Sequence, residues 1–290
     1  MKYTLTGIFA LSLLATAVQP GYAALTVDRS RLIYNEGEKS ISVNVTNRNT
    51  QDPYLAQGWM EDESEKKLTE PLMVLPPVQR VEPDGKTMVR IQALPVISKL
   101  PKDRETVFWF NLREIPPKSS KPNTLTLAMQ TRLKVFYRPQ ALKVDPMADT
   151  IPGIASLTLS RAGDQFVVHN PTPYHVSFVE VRASLKGKGL DGFEPVMIEP
   201  KGKATLPLKA SVLGNAPVLM FVNDYGSQRL LPFSCSGTTC QASKVEMVPQ
   251  PGQPNTLAPF KAEGNTTAPA PAATDSSTQD AKPAEGETTS

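Results

Sequence analysis

The sequence has few of the residues that most metal and catalytic sites require, with two cysteines and two histidines among 290 residues. Structural zinc and iron–sulfur sites need three or four protein ligands, so most multi-ligand metal sites are excluded, and we expect no metal and no cofactor. A bundle of long helices is excluded because 28 prolines interrupt the chain, and an interior proline removes a backbone hydrogen bond. The net charge of +3 is too small to indicate a nucleic-acid partner.

Long hydrophobic runs are also missing, apart from the apolar residues 8–18 near the start. This run follows one positive charge, Lys2, and leads into a small-residue pattern at 21–23. It is too short to span a bilayer and is typical of a secretory signal peptide over residues 1–23, cleaved after Ala23. A membrane anchor is the less favoured interpretation. We therefore expect an exported chain that is not embedded in a membrane.

The last part of the chain, residues 249–290, is rich in proline, alanine, threonine and serine. Its only bulky apolar side chains are Leu257 and Phe260, so it cannot bury enough surface to offset the entropy of ordering. We interpret it as a disordered tail. The tail has a net charge of −3 and Lys2 lies in the signal peptide, so the part predicted to fold carries a charge of +5.

Between these ends, residues 24–248 contain short runs in which apolar and polar residues alternate, separated by turn residues. Residues 41–47 alternate with period two, and residues 107–112 are dense in strand-forming side chains. About seven short strands in roughly 115 residues are typical of an immunoglobulin-like sandwich. The pattern predicts an all-β chain with two such domains, at 24–140 and 141–248.

The two cysteines, Cys235 and Cys240, lie close together near the end of the second predicted domain. In an exported protein, two cysteines five residues apart across a Ser-Gly turn most often form a disulfide that closes a hairpin. The spacing does not match the two-residue gap of a redox or zinc pair. We therefore expect a structural disulfide.

The sequence contains no evident catalytic constellation. Nucleophilic triads and general acid–base pairs usually need a histidine or closely set carboxylates. His169 and His175 flank a proline-containing turn, where a histidine is more often solvated or bonded to the backbone than a base. The acidic residues 61–63 are most simply the solvated tip of a hairpin. We therefore expect no catalytic residue and no enzyme activity.

Three large apolar side chains, Leu125, Leu127 and Met129, occur at every second position opposite small or polar residues. An ordinary sandwich strand would bury such a row in its own core. The alternative is an edge strand with unpaired backbone groups, which would aggregate unless it serves to bind a partner. Such an edge binds by β-augmentation, in which main-chain hydrogen bonds supply affinity and pockets for alternate side chains supply specificity.

Several longer motifs carry a resemblance to one family, and they are spread in order over residues 25–245. They are LTVDRSR at 25–31, PYLAQ at 53–57, PPVQR at 76–80, FNLREIPP at 110–117, KVFYRP at 134–139, NPTPY at 170–174 and NDYG at 223–226. These motifs resemble those of the periplasmic chaperones of chaperone–usher pilus assembly. The connection at 116–123 is short, which resembles the short-loop branch of that family.

The resemblance implies two immunoglobulin-like domains set at an angle, with a cleft between them. Pilus subunits lack their last strand, and the family's chaperones lend an edge strand to fill the open groove. That strand matches residues 125–129, called the donor segment below, with the three apolar side chains named above. The subunit's C-terminal carboxylate is anchored by two basic residues that match Arg31 and Lys134, and charge-assisted hydrogen bonds to carboxylates are strong.

Side-chain alternation raises a question about the second anchor. Strict alternation from Leu125 puts Lys134 on the face opposite the apolar side chains of the donor segment. Either a β-bulge near residues 130–133 resets the phase, or the carboxylate is reached from the other side of the strand. We expect the bulge.

The resemblance further implies a structural ion network between the domains, which matches Glu114, Arg138 and Asp224. Removing one partner of such a network should be costly, because it leaves an uncompensated buried charge. The tail at 249–290 departs from the usual family pattern, which ends soon after the second cysteine.

The function that the resemblance implies is that of an ATP-independent periplasmic chaperone, which stabilises pilus subunits by donor-strand complementation and delivers them to an outer-membrane usher. The expected partners are the subunits, the usher and a second copy of the chain that caps the donor segment between subunits. The alternative is an immunoglobulin-like adhesive or structural surface subunit. Paired basic anchors beside a donor strand, within one two-domain chain, favour the chaperone.

Overall fold

The computed structural model describes residues 23–119 and 125–248, which fold almost entirely as β-strands. Residues 1–22 of the predicted signal peptide, residues 120–124 and the predicted disordered tail at 249–290 lie outside the described residues. Among the described residues, no helix is long and apolar enough to cross a membrane.

The first sandwich contains ten strands: β1 (Leu25–Val27), β2 (Arg31–Asn35), β3 (Ser40–Asn47), β4 (Tyr54–Glu61), β5 (Lys67–Leu68), β6 (Leu72–Leu75), β7 (Val78–Val81), β8 (Lys86–Ala93), β9 (Thr106–Ile115) and β10 (Gln130–Arg138). One sheet has the strand order β1-β3-β8-β6, and the other has the order β2-β10-β9-β4-β5, with β7 paired to β4. β10 runs parallel to β2 and antiparallel to β9, so it lies between these two strands in the sheet.

The core of the first sandwich follows the period-two pattern of its strands. Val43 and Val45 of β3 and Val135 of β10 are completely buried within one hydrophobic cluster. The sheets approach closely at Gly58 of β4, where an added Cβ atom would lie 2.8 Å from Cγ1 of Val74. Alternate positions on β9 and β10 therefore face this core, and the positions between them face outward.

The second sandwich contains nine strands and one short helix: β11 (Thr158–Ala162), β12 (Gln165–His169), β13 (Val176–Arg182), β14 (Val196–Ile198), β15 (Lys203–Lys209), α1 (Ala210–Leu213), β16 (Val218–Val222), β17 (Gln228–Ser236), β18 (Thr239–Ala242) and β19 (Glu246–Met247). The long strand β17 joins its two halves, because residues 228–232 pair with β16 and residues 233–236 pair with β18. Short 3-10 turns at Pro95–Lys99, Gln140–Leu142 and Ile154–Ser156 complete the structure.

The all-β, two-sandwich fold expected from the sequence is confirmed, and each sandwich has its own hydrophobic core. The strand predicted at 41–47 is β3, and the strand predicted at 107–112 lies within β9. The predicted disulfide is also confirmed, since Cys235 and Cys240 are joined as a cross-strand pair of the β17–β18 hairpin. The domain limits of 24–140 and 141–248 stay a prediction.

Candidate functional site

Two basic residues meet where the first sandwich faces the second. Arg31 begins β2 and Lys134 lies in β10, and the parallel pairing of these strands places the two residues directly side by side. Nη1 of Arg31 donates a hydrogen bond of 2.7 Å to the carbonyl oxygen of Val222, and Nζ of Lys134 donates one of 3.0 Å to Oγ of Ser177. Both acceptors belong to the second sandwich, so the cations bridge the two domains.

These two cations have no anionic partner among the residues that the structure describes, because no carboxylate there lies within 4 Å of either one. Burial and, to a smaller extent, the positive charge of Arg31 lower the pKa of Lys134 to about 8. Burial also lowers the pKa of Arg31, against the opposing effects of Asp224 and Glu105. Two partly desolvated cations without a counter-ion form a site that favours an anion such as a carboxylate.

The donor segment is exposed along its whole length. The exposed fractions of Leu125, Leu127 and Met129 are 82%, 67% and 49%. The segment precedes the first residue of β10, and its carbonyl group at Met129 accepts a hydrogen bond of 3.0 Å from the backbone of Glu114. The apolar row is therefore not buried in the core of its own domain.

The donor segment leads directly into a free sheet edge. β2 covers only residues 134–138 of β10, while β9 pairs with residues 130–137 on the other side. Among the described residues, 130–133 thus have no strand neighbour on the β2 side. An extended chain could pair there and continue along the donor segment towards residue 125.

The predicted β-bulge near 130–133 is wrong. The pairing of β10 with β9 runs without a register shift over residues 130–137. Leu133 and Val135 face the core, so Lys134 between them faces the opposite side of the sheet. Of the two alternatives, the structure therefore fits the second, in which an anion bound at Lys134 would lie on the face away from the core.

A buried ion network lies close to the two anchors. The guanidinium of Arg138 contacts Oε1 of Glu105 at 2.7 Å and Oδ2 of Asp224 at 2.8 Å. The side chains of Arg138 and Glu105 are only 3% and 2% exposed. Since Asp224 belongs to the second sandwich, this network ties the two sandwiches together.

The prediction that Glu114 belongs to this network is wrong, because Glu105 occupies that place. Thr106 pairs with Tyr137, so the residue just before β9 lies beside Arg138, while Glu114 lies at the other end of β9, about 30 Å away by strand length. In an antiparallel pair, the strand ends that are far from the connecting turn lie opposite each other. Arg138 ends β10, so counting residues outward from the turn between β9 and β10 would have pointed to the start of β9.

His175 is a further member of the network that the sequence reasoning missed. Oε2 of Glu105 accepts the backbone N–H of His175 at 2.7 Å and lies 3.2 Å from Nδ1 of its ring. The imidazole is buried, contacts the carboxylate of Glu105 and packs against Phe136, so the interpretation of His175 as a loop residue that is solvated or bonded to the backbone through its ring is wrong. His169 instead contacts Oγ of Ser160 at 2.7 Å on the sheet surface.

The turn that carries Asp224 also fits tightly against the first sandwich. Gly226 has a φ of +82°, and an added Cβ atom would lie 2.6 Å from Oγ of Ser30. A glycine is required here both for the backbone conformation and for the close approach. The turn therefore holds Asp224 in reach of Arg138 and brings the second sandwich next to the residue that precedes Arg31.

Models of one protein family match both sandwiches. Residues 24–143 match "Pili and flagellar-assembly chaperone, PapD N-terminal domain", and residues 153–233 match "Pili assembly chaperone PapD, C-terminal domain". Together the matches cover more than half of the chain. The chain therefore belongs to the PapD family of pili assembly chaperones.

Individual relatives agree with this assignment. The chain is 48% identical over 241 residues to "Probable fimbrial chaperone YfcS" of Escherichia coli (strain K12). This alignment covers 83% of this chain and 94% of that protein. It is 43% identical over 223 residues to "Chaperone protein PapD" of Escherichia coli, covering 77% of this chain and 91% of that protein. The crystal structure of the Pseudomonas aeruginosa CupB2 chaperone aligns with a TM-score of 0.60 and 28% identity, covering 73% of this chain and all of the other.

Proposed function

We propose that this chain is an ATP-independent periplasmic chaperone that binds pilus subunits by donor-strand complementation and delivers them to an outer-membrane usher. Membership of the chaperone family supports the assembly role. The observation that carries strand donation is the exposed apolar row of the donor segment, which continues the free edge of β10. The proposal includes export by a signal peptide over residues 1–23.

In the proposed complex, the C-terminal strand that the incomplete subunit does possess runs along the free edge of β10. Leu125, Leu127 and Met129 enter the open groove of the subunit, where their burial supplies most of the affinity. The C-terminal carboxylate of the subunit lies between Arg31 and Lys134, which are partly desolvated and have no carboxylate within 4 Å among the described residues. The network around Arg138 keeps the second sandwich in place and takes no direct part.

The direct test is recovery of a subunit. The tagged chain is expressed together with genes for pilus subunits, and the periplasmic extract is passed over an affinity column. We expect a pilus subunit at near-equal amount, identified by mass spectrometry. If the chain is found instead as a component of surface fibres, with no subunit bound in the periplasm, the alternative of a structural surface subunit is correct.

A polar substitution in the donor segment, Leu127→Ser, should reduce subunit recovery at least tenfold. Complete burial of a leucine contributes about 1.5–3 kcal/mol, and serine cannot supply it. Thermal unfolding of the free chain should not change, because the side chain of Leu127 is exposed. The matched control is Met88→Ser, which changes an exposed apolar side chain on the other sheet and should leave recovery unchanged. Equal recovery with both variants would contradict strand donation.

Carboxylate binding should weaken as the pH rises through 8, because the pKa of Lys134 is lowered to about 8 and the amine is charged only below that value. The probe is a synthetic peptide that copies the end of the recovered subunit, with its free carboxylate or as the C-terminal amide. Affinity for the free acid should fall severalfold between pH 7 and pH 9.5. Lys134→Arg should bind equally at both values, since arginine stays charged. A fall of the same size for the amide would contradict this role of Lys134.

A further inference from the structure

Glu114 is a buried carboxylate with one hydrogen bond and no ion-pair partner among the described residues. Its side chain lies in the interior, and the whole residue is 5% exposed. Oε2 accepts one hydrogen bond of 2.8 Å, from the backbone N–H of Leu25. No cationic side chain of the described residues lies within 4 Å of it, in contrast to Glu105 beside Arg138. A buried carboxylate without a cation is unfavourable, so a positively charged partner is to be expected here.

The chain's own N-terminal end lies at this carboxylate. The carbonyl oxygen of Ala24 accepts a hydrogen bond of 2.7 Å from the backbone of Arg48, which extends the pairing of β1 with β3 by one residue. A cavity of about 350 Å³ adjoins this end and is lined by Ala23, Ala24, Glu114 and Arg48, among others, although Arg48 forms no ion pair with Glu114. Ala24 is thus fixed next to the residue whose N–H group binds Glu114.

Cleavage of the predicted signal peptide would create a cation at this place. Hydrolysis of the bond between Ala23 and Ala24 consumes one water molecule and leaves a carboxylate on Ala23 and an α-ammonium group on Ala24. Neighbouring Cα atoms are 3.8 Å apart, and the N–H of Leu25 already lies against Glu114. The new ammonium group therefore lies within one residue of the carboxylate.

We infer that Glu114 is the receptor for the α-ammonium group of the processed chain, which it binds as a buried ion pair. This inference rests on the signal peptide of the proposed function, but not on strand donation. The uncut chain carries an uncharged amide at that position and cannot form the pair. Processing of the N-terminus thus completes the first sandwich.

The ion pair would lie at the base of the donor segment. The backbone N–H of Glu114 donates to the carbonyl oxygen of Met129, and Leu127 and Met129 line the same cavity as Ala24. The processed N-terminus, Glu114 and the start of β10 are therefore one packed unit.

A double-mutant cycle on urea unfolding of the processed chain tests the inference. Glu114→Gln removes the charge but keeps the shape and the ability to accept the N–H of Leu25. Inserting Gly-Ser between Ala23 and Ala24 moves the ammonium group by two residues while Glu114 is unchanged. Each change should raise the equilibrium constant for unfolding at least tenfold, and the two together should raise it no more than the larger single effect.

Steric effects of the insertion are the same with Glu114 and with glutamine, so the cycle separates them from the charge interaction. Glu63→Gln, which changes an exposed glutamate of the same sandwich, should have no measurable effect alone and should add to that of the insertion. Additive effects of Glu114→Gln and the insertion would overturn the inference, as would an intact mass that does not begin at Ala24. No subunit is present, so either result leaves strand donation to be judged by subunit recovery alone.

Discussion

Replacing either Arg31 or Lys134 with alanine should abolish recovery of a pilus subunit while the free chain stays folded. The two cations lie side by side in register, are partly buried and have no counter-ion among the described residues. Removing one of them leaves a buried carboxylate of the subunit with half of its charge-assisted hydrogen bonds. Truncating one partner of such a pair costs about 2–5 kcal/mol, which lowers the affinity roughly 30-fold or more.

The measurement is co-purification from periplasmic extracts, with wild type and each variant expressed at equal level. Arg29→Ala is the matched control, because Arg29 lies two residues from Arg31 but pairs with Asp28 on the surface. It should recover the subunit normally. Circular dichroism and thermal unfolding check that the Arg31 and Lys134 variants are folded. Normal recovery with both alanine variants would show that these residues do not anchor a carboxylate.

The second large effect is expected from Arg138→Met, which should destabilise the chain by about 3–5 kcal/mol. Among the described residues, Arg138 is the only lysine or arginine within 4 Å of Glu105. Without Arg138, the carboxylate of Glu105 stays buried with no lysine or arginine beside it. Asp224 is less buried and can be hydrated, so most of the loss arises at Glu105.

Urea unfolding gives the free energy, and two further variants test the cause. Arg138→Met combined with Glu105→Gln should recover part of the lost stability, because the unpaired charge is then removed. Arg80→Met breaks an ion pair with Glu82 on the surface and should change stability very little. A loss below about 1 kcal/mol for Arg138→Met would contradict a structural role of the network.

The fold could be predicted because the relevant signals are local. Alternation over 41–47 and the strand-forming side chains at 107–112 reflect which side of a sheet each residue faces, and each pattern needs only a few neighbouring residues. The signal that predicted the disulfide is equally local, since Cys235 and Cys240 are five residues apart. Propensity and spacing are sufficient for such features.

The site was predicted less completely, because it depends on register between strands that are distant in sequence. Matching motifs led to the prediction of Arg31 and Lys134 as anchors, but only the parallel pairing of β2 with β10 places them side by side. The choice of Glu114 for the ion network was wrong for the same reason. It is a carboxylate on the correct strand, and the antiparallel register places it at the wrong end.

The buried state of His175 was missed because its partner is not local either. Its sequence neighbours are turn residues, which favour exposure, whereas Glu105 reaches it from the other sandwich, 70 residues away. The prediction of a bulge was wrong for a different reason. It assumed that Lys134 and the apolar side chains of the donor segment must lie on one face of the strand, although a bound strand can meet them from opposite sides.

The unbroken register of β10 has one more consequence, which concerns the distance between the apolar row and the anchor. Leu127 and Lys134 are seven residues apart, about 23 Å along an extended chain, and the part of this span that lies in β10 pairs with β9 without a register shift. Under the proposed function, a subunit strand anchored by its C-terminal carboxylate reaches Leu127 only if about seven of its residues extend along this edge. A one-residue slip of register would turn every side chain of that strand to the other face. The spacing of anchor and apolar row would then discriminate between partners by the length of their C-terminal strand.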